Sequence, residues 1–236
     1  MSYSPTAEGQ RILARSPILS KLDSGSLKAV VQAAAVAKVD QGGFLFHQGE
    51  LATSFFVLIQ GSIRLSQIAD DGRQVIFHYL GPGDALAVAV ALANENYPVS
   101  AEAMADSIAL EWDRPTAHKL MEEYPRLAIG SLELVAGRFW ELQSRYRELA
   151  TERVEQRLAR AVLRLHAQNG LLTNGNPLTL KLSRQDLAEM TGTTLFTVSR
   201  ICSDWESRGI LATGREQITL LNRDRLQTIA EDLQNL

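Results

Sequence analysis

A chain of 236 residues with 45% apolar and 22% charged side chains has the composition of a folded globular protein of one large or two smaller domains, and no apolar run approaches the roughly 20 residues of a membrane-spanning helix. The single cysteine, Cys202, excludes an internal disulfide and any multi-cysteine zinc-finger or iron–sulfur site within one chain. The net charge of −3 argues against generic adhesion to nucleic acid, and its distribution (13 basic against 17 acidic residues over 1–150, 11 against 10 over 151–236) requires any DNA binding to come from a local cluster.

The opening segment, MSYSPTAEGQRILARS, has neither an apolar core nor a small-residue cleavage site, so no signal peptide is expected, and the protein is expected in the reducing cytoplasm with no membrane partner. SLKAVVQAAAVAKV (26–39) predicts a helical lead-in. From Val39 to Trp112 short apolar runs are broken by glycines: FLFHQGE, FFVLIQG, SIRLSQI and VIFHYLGPGD. These predict strands, with a hairpin around Asp70-Asp71-Gly72, because an Asp-Gly turn readily supplies positive φ. Many short strands at regular spacing suggest a sandwich or β-roll.

From Tyr124 the period changes. Ala128, Leu132, Val135, Phe139, Leu142, Tyr146 and Leu149 alternate in steps of four and three, with Glu133, Arg138, Glu141, Arg145 and Glu148 between them. This is a long helix with a heptad seam. Such a seam either packs on its own domain or meets a partner helix, for which a second copy of the same chain is the simplest source. TERVEQRLARAVLRLHAQ (151–168) predicts another amphipathic helix, followed by an Asn/Gly/Pro-rich loop, NGLLTNGNPLTL. A domain boundary is therefore expected near residue 150.

Over 183–208 the pattern reads as helix, tight turn, helix. Ser183 caps the first helix with Asp186 near its N-terminal end, Gly192 supplies the turn, and Thr193 or Thr194 caps the second. On the second helix Val198, Ile201 and Trp205 form one stripe, which at about 100° per residue puts Phe196, Ser199, Arg200 and Ser203 on the opposite face. In helix-turn-helix geometry that face enters the major groove, where an arginine can pair with guanine and an apolar group can touch the thymine methyl. GILATGREQITLLN (209–222) predicts a β-hairpin, or wing, with Arg215 near its tip to meet phosphate. RDRLQTIAEDL predicts a closing helix. Ser183, Arg184, Thr194, Phe196, Thr197, Ser199, Arg200 and Arg215 make up the candidate DNA-contacting set, and Leu132, Val135, Phe139, Leu142, Tyr146 and Leu149 the candidate dimerisation set.

FHQGELATSFFVLIQGSIRLSQIADDGRQVIFHYLGPGD (46–84), YPVSAEAMADS (97–107) and LSRQDLAEMTGTTLFTVSRICSDWESRGIL (182–211) together resemble the Crp/Fnr family of bacterial transcription regulators. In that resemblance Gly49, Gly61, Gly72 and Gly83 fall where the family's β-roll turns. The fold implied is α+β: an N-terminal antiparallel, jelly-roll-like β-roll over 1–123, a dimerisation helix over 124–150 and a C-terminal winged helix-turn-helix over 151–236. The function implied is sequence-specific DNA binding by a homodimer on a palindromic site, with RNA polymerase as a further partner.

Two departures from the family bear on the signal. Cyclic-AMP binders carry a Gly-Glu pair and an Arg-Ser pair around the nucleotide, whereas here Val99 precedes Ser100 and no arginine is near in sequence. A phosphodiester buried without a cation is poorly stabilised, which argues against cyclic AMP. The oxygen-sensing branch has an N-terminal cysteine cluster that is missing here, which argues against an iron–sulfur cluster. His78 looks toward the effector pocket in relatives, so it reads either as a hydrogen-bonded structural histidine or as a haem ligand. Phe77, His78, Ser100 and Leu142 form the candidate effector set. In the branch reading a TTGA-like half-site, the outward helix face carries a glutamate, then a serine and an arginine. Here Phe196 stands where the glutamate would be. Phe196 therefore reads either as a changed base-reading residue or as a residue packed on a neighbouring element.

Other chemistries fit less well. A cupin-type metalloenzyme needs two or three converging histidines and a carboxylate, whereas His47 and His78 lie 31 residues apart. Cys202 as a nucleophile has no histidine nearby in sequence. An interaction module that has lost DNA binding is the remaining alternative.

Overall fold

A computed structural model describes residues 6–169, 179–180 and 182–232. Two compact units divide between Glu141 and Leu142.

In the first unit, α1 (Ala7–Arg15) and α2 (Ser24–Gln32) are capped by Thr6 and Asp23, whose side chains accept from backbone N–H groups of the first turn. There follow β1 (Ala35–Val39), β2 (Phe44–Phe46), β3 (Ser54–Ile68), β4 (Gln74–Leu80), β5 (Ala85–Leu86), α3 (Val88–Ala93), β6 (Ser100–Asp113), α4 (Arg114–Glu123) and α5 (Pro125–Thr151). The strands form one antiparallel sheet in the order β1-β6-β3-β4, with β2 also on β6 and β5 also on β3.

β3 explains why its sequence shows no alternation. Phe55, Val57 and Ile59 pack with Leu13, Leu19, Val30 and Trp112, while Phe56 and Leu58 point the other way into a cluster with Phe46, Leu80, Leu86 and Tyr97. Both faces are buried, so the run is apolar throughout. Trp112 stacks on Phe55 with ring centroids 5.0 Å apart and donates from Nε1 to the Val30 carbonyl at 2.8 Å.

Three sequence expectations change. The lead-in predicted as helical over 26–39 is helical only to Gln32, and Ala35–Val39 instead pairs with β6 as an edge strand, where its valines suit a pleated surface. Gly61 does not turn the chain: β3 runs through it with register shifts between Leu58 and Ile63, at a φ of +91°. A Cβ there would lie 2.1 Å from Ser107 Oγ and 2.6 Å from the Asp106 carbonyl, so glycine is required for this bulge to sit against β6. The third change is α4, which precedes the long helix and was not anticipated, although Asp113 at its N-cap and Pro115 in its first turn are ordinary start signals. The Asp-Asp-Gly hairpin is as expected, with Gly72 at a φ of +82°.

The second unit holds α6 (Val154–Asn169), β7 (Thr179–Leu180), α7 (Arg184–Thr191), α8 (Leu195–Ser207), β8 (Leu211–Gly214), β9 (Gln217–Leu220) and α9 (Arg223–Ala230), with an antiparallel sheet in the order β7-β9-β8. The loop expected over 169–180 falls largely outside the described residues. Its end forms β7, the third strand of the wing sheet, which was not anticipated. Among the described residues no helix is long and apolar enough to cross a membrane.

Candidate nucleic-acid interface and effector cavity

The α7–α8 pair is fixed by its caps. Ser183 closes a capping box: its hydroxyl accepts from the Asp186 N–H at 3.0 Å, and the Asp186 carboxylate accepts from the Ser183 N–H at 2.8 Å. Gly192 ends α7 in the left-handed region at a φ of +62°. Thr194, and not Thr193, caps α8 by accepting from the Thr197 N–H at 3.2 Å, with the two threonine hydroxyls 3.0 Å apart. Val198, Ile201, Cys202 and Trp205 are all buried, and Trp205 Nε1 donates to Glu155 on α6 at 3.0 Å. Burial pushes the Cys202 thiol up to about 11, the opposite of what a nucleophile needs.

That anchoring leaves the other face of α8 to solvent. Phe196 is 78% exposed, Arg200 and Ser203 are exposed and Ser199 is half-buried. Phe196 packs against neither the neighbouring helix nor the wing closely enough to be covered. Arg200 opens onto a polar cleft of about 670 Å³ shared with Arg153, Thr197, Asp204 and Arg208. Arg208 is held by Asp204 at 3.0 Å.

The wing turns at Arg215 and Glu216, and Arg215 is exposed at its tip. Arg184 is placed differently from the rest of the predicted set. Its guanidinium donates to the Thr213 hydroxyl at 2.6 Å and lies 3.4 Å from Glu206, whose carboxylate also accepts from the Thr213 N–H at 2.7 Å. The Thr213 bonds hold the Glu206 carboxyl below its usual range. Arg184 is thus committed to fastening the wing to α8. Arg153, which the sequence did not single out, comes near Arg200 because the start of α6 borders the same cleft.

In the first unit, an apolar cavity of about 200 Å³ lies between the roll and α5. Phe46, Leu65, Leu86 to Val90 and Tyr97 to Val99 line the roll side, and Leu134, Val135 and Arg138 the helix side. None of Phe77, His78, Ser100 and Leu142 lines it. Phe77 and His78 are half-buried on β4, with His78 Nε2 3.9 Å from Glu141. The Ser100 hydroxyl accepts from the Gln48 N–H at 3.0 Å, and Leu142 is 56% exposed on α5. No histidine lines the cavity, so it offers haem no axial ligand. The cation that sequence proximity failed to find is Arg138, 38 residues beyond Ser100. Its place beside Phe139 in the heptad, flanking the seam, was the available signal.

Two family profiles match the chain, one for a cyclic nucleotide-binding domain over residues 36–124 and one for a Crp-like helix-turn-helix domain over residues 156–229. The chain belongs to the Crp/Fnr family. Its relatives include the nitrogen fixation regulation protein FixK of Bradyrhizobium diazoefficiens, 26% identical over 91% of this chain and 90% of that protein. The fumarate and nitrate reduction regulatory protein of Escherichia coli is 26% identical over 84% of this chain and 79% of its own length. Among solved structures, FixK2 from Bradyrhizobium japonicum matches with a TM-score of 0.71 at 25% identity, covering 83% of this chain and 96% of that one. This Crp/Fnr chain is a transcription regulator with a DNA-binding helix-turn-helix domain and a cyclic-nucleotide-binding-like domain, in the α+β architecture expected from its sequence.

As a Crp/Fnr chain it departs from cyclic-nucleotide recognition in a physical sense. The arginines closest in sequence to the cavity strands are engaged, Arg64 with Glu102 and Arg73 with Asp71, each at 2.6 Å. Ala87 occupies a left-handed conformation at a φ of +63°, at the cavity wall, where only a residue with a small side chain or none is accommodated easily.

Proposed function

We propose that this Crp/Fnr regulator acts as a cytoplasmic homodimer on a palindromic DNA site, with residues 1–123 as sensor, the helix over 124–150 as dimerisation element and 151–236 as reader. The observation that carries the proposal is the outward face of α8, where a 78% exposed phenylalanine shares a surface with an arginine free of hydrogen bonds and ion pairs among the described residues, directly opposite a fully buried stripe. An exposed aromatic costs solubility and contributes nothing to the fold, so a contact outside the chain is its physical rationale. Arg200 reads guanine, Phe196 touches a thymine methyl, and Thr194, Thr197 and Ser199 line the approach. Arg215 meets phosphate at the wing tip, while Ser183 and Arg184 hold α7 and the wing in place.

The dimer is supported by α5. Leu132, Phe139, Leu142, Tyr146 and Leu149 are 53–73% exposed along one heptad stripe, with Val135 at 36%. RNA polymerase is the partner that such a regulator addresses. The apolar cavity supports a signal other than cyclic AMP, and the single cysteine supports one other than an iron–sulfur cluster.

Selection of binding sites from a random DNA library tests the reading. The wild type should enrich a palindrome with half-sites about one helical turn apart, a guanine in each, and a weak preference opposite Phe196. Phe196→Glu should restore a cytosine preference there. Recovery of the same half-site by both proteins would remove Phe196 from the reading set, and no enrichment at all would refute DNA recognition.

A further inference from the structure

We infer that the cavity of the β-roll takes a small apolar monocarboxylate, with Arg138 pairing the carboxylate and the roll enclosing the hydrocarbon. The inference rests on the reading of the N-terminal domain as a sensor and names the chemistry of its signal.

The lining dictates the class. Leu86, Val90, Tyr97, Val99 and Leu134 present hydrocarbon or aromatic surface, and Arg138 is the only charged side chain among the residues that form the wall. Arg138 is half-buried and makes no hydrogen bond or ion pair among the described residues. Its charge is felt by Asp84, whose carboxyl burial raises while the Gly81 N–H and Arg138 act in the opposite direction. A guanidinium in such a setting suits a planar, bidentate anion.

Sugar hydroxyls and base edges fare badly in the same space. Each polar group buried without a partner loses its hydrogen bonds to water. Ser100 is occupied by the Gln48 N–H and Arg64 by Glu102. One cation also matches one negative charge, which disfavours di- and tricarboxylates. Size points the same way: the cavity is about 200 Å³, below the roughly 300–1,000 Å³ typical of drug-sized ligands.

The test is calorimetry on the full chain at two temperatures, with octanoate, the neutral isostere octanamide and cyclic AMP as probes. Octanoate should bind at least tenfold more tightly than octanamide, and cyclic AMP should not compete. Arg138→Gln should abolish the preference for octanoate while leaving octanamide affinity unchanged. The octanoate–octanamide comparison needs no variant, so a poorly folding mutant does not blunt it. Equal affinities, an unchanged preference in Arg138→Gln, tighter binding of cyclic AMP, or no binding of any probe, as when a second copy fills the cavity, would each overturn the inference. DNA-site selection is a separate measurement, so these failures leave the DNA-binding reading standing.

Discussion

Phe139→Asp should convert the dimer to folded monomers. Phe139 is 59% exposed on a single chain and touches Trp140 edge-on with ring centroids 5.6 Å apart. Taking roughly 200 Å² for a phenylalanine leaves about 120 Å² for a partner to cover. At about 25 cal/mol per Å² this is worth about 3 kcal/mol per copy, or about 6 kcal/mol per two-fold dimer, before the cost of burying an aspartate is added. Since every 1.4 kcal/mol is tenfold, the dissociation constant should rise by about four orders of magnitude. Sedimentation equilibrium reads this directly, and specific DNA binding should be lost with the dimer. The same exposure predicts little effect on the fold of each chain, so the far-ultraviolet spectrum should be unchanged. A variant that stays dimeric would refute the seam, and one that unfolds would show that Phe139 packs within its own chain.

Arg200→Ala should cost about 1–3 kcal/mol per half-site and relax the guanine preference, whereas Arg215→Ala should weaken all sequences alike and lower the salt slope by about one, both read in salt titrations of binding. Gly61→Ala should destabilise by at least about 2 kcal/mol, since its Cβ would fall 2.1 Å from Ser107 Oγ at a φ of +91°; a melting temperature within a degree of the wild type would contradict this. Gly137→Ala, whose Cβ would meet nothing within 4 Å on α5, should stabilise by about 1 kcal/mol. Glu206 has its carboxyl held below 4.5 in the folded chain, so its contribution is present above pH 4.5 and lost as pH falls through the folded value. Glu206→Gln should flatten the acid limb of a pH-dependent unfolding series by that amount, and an identical limb would count against the Glu206–Thr213 attachment.

The legible parts of the sequence were those governed by local rules. Capping at Ser183, the glycine turn at Gly192, the period of α5 and the stripe of Val198, Ile201 and Trp205 are decided within a few residues, and the structure has them all. Parts decided by distant partners were not legible. Ala35–Val39 is apolar enough to continue a helix, and only β6, more than 60 residues on, makes it a strand. Arg184 looked like a DNA contact because it is a cation near α8, but Thr213 and Glu206, 22 and more residues away, claim it. Arg138 looked like a solvated heptad flank, and only the folded roll turns that flank into a cavity wall.

Val135 links the cavity to the seam. It lines the cavity together with Leu134 and Arg138, yet it also occupies a seam position and is 36% exposed. A ligand that fixes this turn of α5 therefore acts on a side chain that a partner helix must also meet. Such a ligand shifts the dimer only by its differential affinity for the two arrangements, and the dimer must alter ligand affinity by the same factor. A hydrogen bond to a charged group contributes about 1.5–3 kcal/mol, which is too little for one site to move an equilibrium from 1:99 to 99:1, a change that needs about 5.5 kcal/mol. Two cavities per symmetric dimer supply twice the coupling, about 3–6 kcal/mol, which reaches that requirement only at its upper end. A switch built on one arginine per chain thus depends on the two-fold axis: the pairing of α5 helices that presents the reading heads to a palindrome is also what makes a single carboxylate contact strong enough to matter.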